Sequence, residues 1–82
     1  MQVVLSKLAQ KNFSHLPKVE QSKIRKKLVN LVGNPRIGKK LAGELGGSRS
    51  LRAWPYRIIY RINSAESLVE VSHILHRQGA YK

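Results

Sequence analysis

From Tyr56 to Ile62 the chain alternates with a period of two, and no other segment restricts the fold as tightly. Tyr56, Ile58, Tyr60 and Ile62 fall on one side of an extended strand, with Arg57, Ile59 and Arg61 on the other, because successive β side chains point to opposite faces. A strand with one apolar face needs a sheet to belong to and a layer to cover that face. Pro55 removes a backbone donor and forces a tight turn before this strand. Ser50 to Trp54 therefore reads as the preceding strand, with Leu51 inward and Ser50 and Arg52 outward. Asn63-Ser64-Ala65-Glu66 supplies turn-forming side chains after it. Leu68 to Leu75, apolar on both faces, reads as a further strand in a central position.

The covering layer comes from the N-terminal half. Gln2 to Leu5 reads as a short first strand and not as a signal peptide, since charged lead-in and long apolar core are both missing. Ser6 is placed to cap a short helix carrying Leu5, Leu8, Ala9 and Phe13. Pro17 suits the first turn of a second helix, running to about Val32. Its apolar stripe is Ile24, Leu28, Leu31 and Val32, and Lys23, Lys26, Lys27 and Asn30 turn toward water. Gly33 and Pro35 stop it. Asn34 to Ser48 is a basic, glycine-rich loop, with a helical turn expected at Leu41 to Leu45. The result is an α+β fold of order β-α-α-β-β-β: an antiparallel sheet with a helical hairpin packed on one face. Residues 1–82 form a single domain on this reading.

What the other face does is a question of charge. Sixteen Lys and Arg stand against four acids, a formal net charge of +12. Self-repulsion of that size works against a compact state and is tolerated where a polyanion is the partner; nucleic acid leaves this footprint. Arg52, Arg57 and Arg61 fall on the open sheet face, rimmed by Lys39 and Lys40, with Arg49 just ahead of the Ser50 to Trp54 strand. Lys39, Lys40, Arg49, Arg57 and Arg61 are the candidate RNA contacts. No apolar run is long enough to span a bilayer, so no membrane role is expected. With no cysteine, disulfides and sulfur-bound zinc are excluded. A cytoplasmic location fits that composition.

Chemistry has few candidates. The four acids are scattered, the glycine pair Gly46-Gly47 lacks the Lys-Ser or Lys-Thr of a phosphate-binding loop, and the histidines lack ligand spacing. No metal and no cofactor are expected. His76, Arg77 and Tyr81 remain, a set sufficient for RNA cleavage through its own 2′-OH. That reaction needs a proton acceptor, a proton donor and cations that neutralise the phosphorane-like transition state. His73 reads as structural, Trp54 as packing at a strand end, Tyr56 and Tyr60 as core or stacking residues, and the lysines of the second helix as a solvated face.

Leu51-Arg52, Tyr56-Arg57-Ile58-Ile59-Tyr60 and the terminal His76-Arg77-x-x-x-Tyr81, behind a helix that ends in Asn34-Pro35, together resemble the RelE/ParE toxin superfamily. The resemblance covers nearly the whole chain; Gln78-Gly79-Ala80 departs from it, lacking the acidic residue that many relatives carry there. It implies a type II toxin that cuts messenger RNA in the ribosomal A site without metal. By position it implicates Lys39 or Lys40, Arg52, His76, Arg77 and Tyr81. Arg52 and Arg77 become phosphate clamps, and His76 and Tyr81 become acid/base groups in an order left open. It also implies an acidic cognate antitoxin that masks the basic face in a hetero-oligomer. Two alternatives stay open: a ParE-like inhibitor of DNA gyrase without nuclease activity, and a non-catalytic basic RNA-binding domain.

Overall fold

The computed structural model describes residues 1–41 and 46–76. Strand β1 (Gln2–Leu5), helices α1 (Lys7–Ser14) and α2 (Lys18–Gly33), and strands β2 (Lys39–Lys40), β3 (Arg49–Ala53), β4 (Tyr56–Asn63) and β5 (Leu68–His76) follow in that order. The strands form one sheet in the order β1-β5-β4-β3-β2, and the helices pack on one of its faces. Most of the turn expected at Leu41 to Leu45 lies outside the described residues, as do Arg77 and Tyr81.

Two features differ from the sequence expectation. The sheet is mixed: β3, β4 and β5 form the antiparallel meander, but β1 joins the outside of β5 in parallel. Parallel pairing needs a long connection, and everything from α1 to β4 supplies it. The basic loop also contributes a strand, because Lys39 and Lys40 pair with Ser50 and Arg49 at the edge of β3.

One side of the β4 alternation enters the helix-side core. Tyr60, Ile58, Leu51, Ala53, Val69, Val71 and Ile74 meet Ala9, Ile24 and Leu31 of the helices in one apolar cluster. On α2 the stripe is narrower than expected, and Val32 is 48% exposed. At 3.6 residues per turn Val32 sits about 80° around the helix from Ile24, at the margin of the face that meets the sheet. Leu8 likewise turns outward. The N-cap of α1 is Ser6, whose Oγ accepts the Ala9 N–H at 3.0 Å, and Pro17 stands just outside α2.

Strand β5 carries an irregularity that the sequence does not announce. Ile59 pairs with His73 and Tyr60 with Val71, so Ser72 is an extra residue, a bulge. Its hydroxyl and its carbonyl are both taken up. Ser72 Oγ donates to the Ile59 carbonyl at 3.1 Å, and the Ser72 carbonyl accepts Ser6 Oγ at 2.6 Å. Two residues on, the Ile74 N–H donates to Asn12 Oδ1 at 3.0 Å. An extra residue reverses which face every later side chain takes. Beyond the bulge, Ile74 and His76 therefore lie on the helix side, with His73 and Leu75 on the open side.

The opposite end of the core is closed by Tyr60, which is fully buried. Its hydroxyl donates to the Pro35 carbonyl at 2.7 Å and accepts the Gly38 N–H at 2.9 Å. Gly38 is required there: a Cβ would stand 2.6 Å from the Tyr60 oxygen and 3.0 Å from the Ser50 carbonyl. Burial raises the tyrosine pKa, against the lowering effects of the Gly38 hydrogen bond and the Arg49 charge, so the group stays a donor. Tyr60→Phe strands the buried Gly38 N–H and the half-buried Pro35 carbonyl, at about 1–3 kcal/mol for each group that stays out of water. Urea unfolding should show that loss with an unchanged slope.

Candidate functional site

Strand register assigns the open face row by row. Lys39, Ser50, Ile59 and His73 are successive Cα partners across β2, β3, β4 and β5. Toward the β3–β4 turn the next row is Arg52, Arg57 and Leu75. On the other side lies Arg61, Glu70 and Val4. Arg52, Arg57, Arg61 and Lys39 thus share one surface, as the sequence suggested, and the register selects Lys39 over Lys40 for it.

The rows differ electrostatically. Arg61 faces a carboxylate across the ladder, Glu70, and reaches the Gly46 carbonyl at 3.5 Å. It lines two clefts, one of about 510 Å³ with Gly47, Asn63 and Ser64, the other of about 320 Å³ with Val4 and Ser72. Both clefts hold Glu70, which repels an incoming anion, so cleft size does not locate the anion site. The Arg52–Arg57 row does: the two arginines are direct cross-strand partners, and like charges at such positions repel. An anion bridging both relieves the repulsion, and arginine forks suit phosphate oxygens.

Beside that row the floor is dry. Ile59 is buried to 1% exposure yet stands outside the helix-side cluster, and Ser50 is buried to 6%. Ser50 was expected to face out. It takes the open face, but its Oγ is buried and without a hydrogen-bond partner among the described residues.

Three residues named from the sequence lie elsewhere. Arg49 pairs with Tyr60 on the helix side, and its Nη1 donates to the carbonyls of Gly38 at 2.9 Å and Arg36 at 3.3 Å. It clamps the loop that leads into β2. Lys40 is its cross-strand partner. His76 pairs with Tyr56, also on the helix side, their rings edge to face at 5.3 Å. The bulge at Ser72 puts it there. Arg77 and Tyr81 are outside the described residues, so of the four expected catalytic groups only Arg52 stands on the open face among those described. The histidine on that face is His73, read from the sequence as structural; partial burial lowers its pKa. Lys23, read as solvated, donates to the Trp54 carbonyl at 3.0 Å and pairs with Glu20 at 3.3 Å, which ties the β3–β4 turn to α2. Trp54 itself is 54% exposed.

A family model described as the ParE toxin of type II toxin–antitoxin systems matches residues 3–81. The chain belongs to this toxin family. Among curated proteins it is similar to toxin RelE of Mycobacterium tuberculosis, 40% identical over 53 residues, 63% of this chain and 55% of that protein. Toxin RelG of the same organism is 38% identical over 47 residues, 57% of this chain and 54% of that one. The aligned stretch spans little more than half of either relative. Among solved structures, a chain of the M. tuberculosis RelBE2 toxin–antitoxin complex superposes with a TM-score of 0.85 at 29% identity, covering 93% of this chain and 96% of that one. The isolated Escherichia coli RelE toxin gives 0.78 at 26% identity, with 92% and 82% covered.

Membership in this toxin family makes the division of arginines between the two faces testable. Arg49→Ala removes a clamp on two loop carbonyls and should lower the urea midpoint. Arg52→Ala removes one of two opposed like charges and should leave the midpoint unchanged or raise it. The reverse order would contradict the register. His73 gives a pH prediction. Its folded pKa lies below 6.5, so on acidification the unfolded chain takes up the proton first. Its stabilising contribution is complete above pH 6.5 and is lost as pH falls through the folded value. His73→Gln should flatten the stability profile across that window, measured by denaturation at stepped pH.

Proposed function

We propose that this ParE-family toxin is a metal-independent endoribonuclease that cleaves messenger RNA in the ribosomal A site and so inhibits translation in the cytoplasm. The observation that carries the reading is the Arg52–Arg57 pair on the open face. With Lys39 one row away, it offers a phosphate backbone concentrated positive charge beside a dry floor, where electrostatic interactions are strongest. Arg61 extends the contact across the sheet. Arg52 and Arg57 hold phosphate oxygens and neutralise the transition state. His76 opens the terminal set, in which Arg77 supplies a further cation and Tyr81 an acid/base group. Cleavage by the 2′-OH requires no metal and no cofactor.

An acidic antitoxin is the partner that fits a formal charge of +12. It would mask the open face within a hetero-oligomer, as toxin and antitoxin are paired in the RelBE2 complex. The ParE description of the family model favours a second reading, inhibition of DNA gyrase without RNA cleavage.

Expression under tight control separates the two. The 5′ ends of a translated reporter message are mapped for the wild type, for Arg52→Ala/Arg57→Ala and for His76→Ala/Tyr81→Phe. Cuts at fixed codon positions in the wild type, absent from both double mutants, are expected. Growth arrest with intact message and a DNA-damage response would move the assignment to gyrase. Salt-dependent RNA binding with neither effect would leave a non-catalytic RNA-binding domain.

A further inference from the structure

We propose that His73 is the residue that takes the ribose 2′ proton, set in position by the bulge at Ser72. The inference rests on the ribonuclease reading above and adds a residue that neither the sequence motifs nor the family match single out.

Placement comes first. Without the extra residue, His73 would point among the helices and His76 toward the open face; with it, the two exchange sides. The bulge is held by three side-chain hydrogen bonds, one from β5 itself and two from α1 and its N-cap: Ser72 Oγ to the Ile59 carbonyl, Ser6 Oγ to the Ser72 carbonyl, and the Ile74 N–H to Asn12 Oδ1. So many dedicated partners make the displaced register a built feature.

The surroundings come second. His73 lies opposite Ile59 and diagonal to Arg57, a spacing of about 7–8 Å that long side chains cross. A phosphate held between Arg52 and Arg57 therefore brings its adjoining ribose within reach of the imidazole. Beyond Ile59 in the same row is Ser50, whose buried Oγ has no hydrogen-bond partner among the described residues.

Protonation state comes third. Among the described residues, the charged groups that share this face with His73 are Arg57 and Arg61 from β4, Arg52 from β3 and Lys39 from β2, with Glu70 on its own strand set opposite Arg61. Partial burial disfavours a positive charge on the imidazole. A neutral imidazole at neutral pH is what a proton acceptor requires. In the step, a ring nitrogen of His73 accepts the 2′-OH proton and the 2′ oxygen bonds to the adjacent phosphorus. The bond from phosphorus to the 5′ oxygen breaks, and that oxygen takes a proton from solvent or from an acid of the site. The products are a 2′,3′-cyclic phosphate and a 5′-OH, with the proton left on His73 released to water.

The test is single-turnover cleavage of a ribosome-bound message between about pH 5 and 8. Wild-type cleavage should rise with pH along a limb below 6.5, the free imidazole value. His73→Gln should lose about 10²–10⁴-fold in rate together with that limb, and His76→Gln should keep the limb. Added imidazole should restore cleavage to His73→Gly, a rescue that a purely structural histidine would not show. Wild-type rate and pH profile in His73→Gln, or no rescue in a folded His73→Gly, would overturn the proposal. A wild type that cleaves nothing would instead overturn the ribonuclease reading beneath it.

Discussion

The structure depends on β4 being the central strand. It has β3 on one side and β5 on the other, and three consecutive residues, Ile58, Ile59 and Tyr60, are buried. Ile58 and Tyr60 anchor the helix-side core. Ile59 is the dry floor of the open face. A shift of one residue in the pairing of β4 would move Arg57 and Arg61 into the core and expose both anchors. The desolvation cost of buried guanidinium groups therefore protects the register as strongly as the apolar contacts do.

Around that strand, polar atoms decide where flexible pieces stop. Tyr60 and Arg49 together hold the carbonyls of Pro35, Arg36 and Gly38, which fixes the path into β2 and puts Lys39 in register with Ser50. Ser6 caps α1 and at the same time holds the bulge of β5. Lys23 ties the β3–β4 turn to α2. In each case one polar side chain serves local structure and also positions a residue of the open face. With so much like charge on a small sheet, that rigidity keeps the cations from relaxing apart, and it pre-organises them for a phosphate.

Much of this was legible in the residues. The alternation from Tyr56 to Ile62 separates the apolar from the basic face, Ser6 announces its cap, and the helical stripe predicts Ile24 and Leu31 as core; the structure agrees on each. The errors have a common origin. Arg49 and Arg52 look alike in the sequence, yet one clamps a loop and the other faces outward, because parity along β3 separates them. Lys39 and Lys40 differ for the same reason. Ser50 has the expected direction, but its burial depends on neighbours from other strands. The parallel pairing of β1 was hidden because a single strand carries no mark of its partner's direction.

By itself, then, the sequence determined the fold class, the sign and approximate location of the charge, and the exclusion of thiol chemistry. These follow from local periodicity and composition. Only the tertiary structure decided which histidine shares a face with Arg52 and Arg57. Ser72 is an ordinary strand residue by type. It becomes a bulge because Ile59, Ser6 and Asn12 approach β5 from three other parts of the fold and supply the hydrogen bonds that let one residue drop out of the ladder. A two-residue period read along the chain cannot register that loss of phase, since the groups that cause it come together only in the folded molecule.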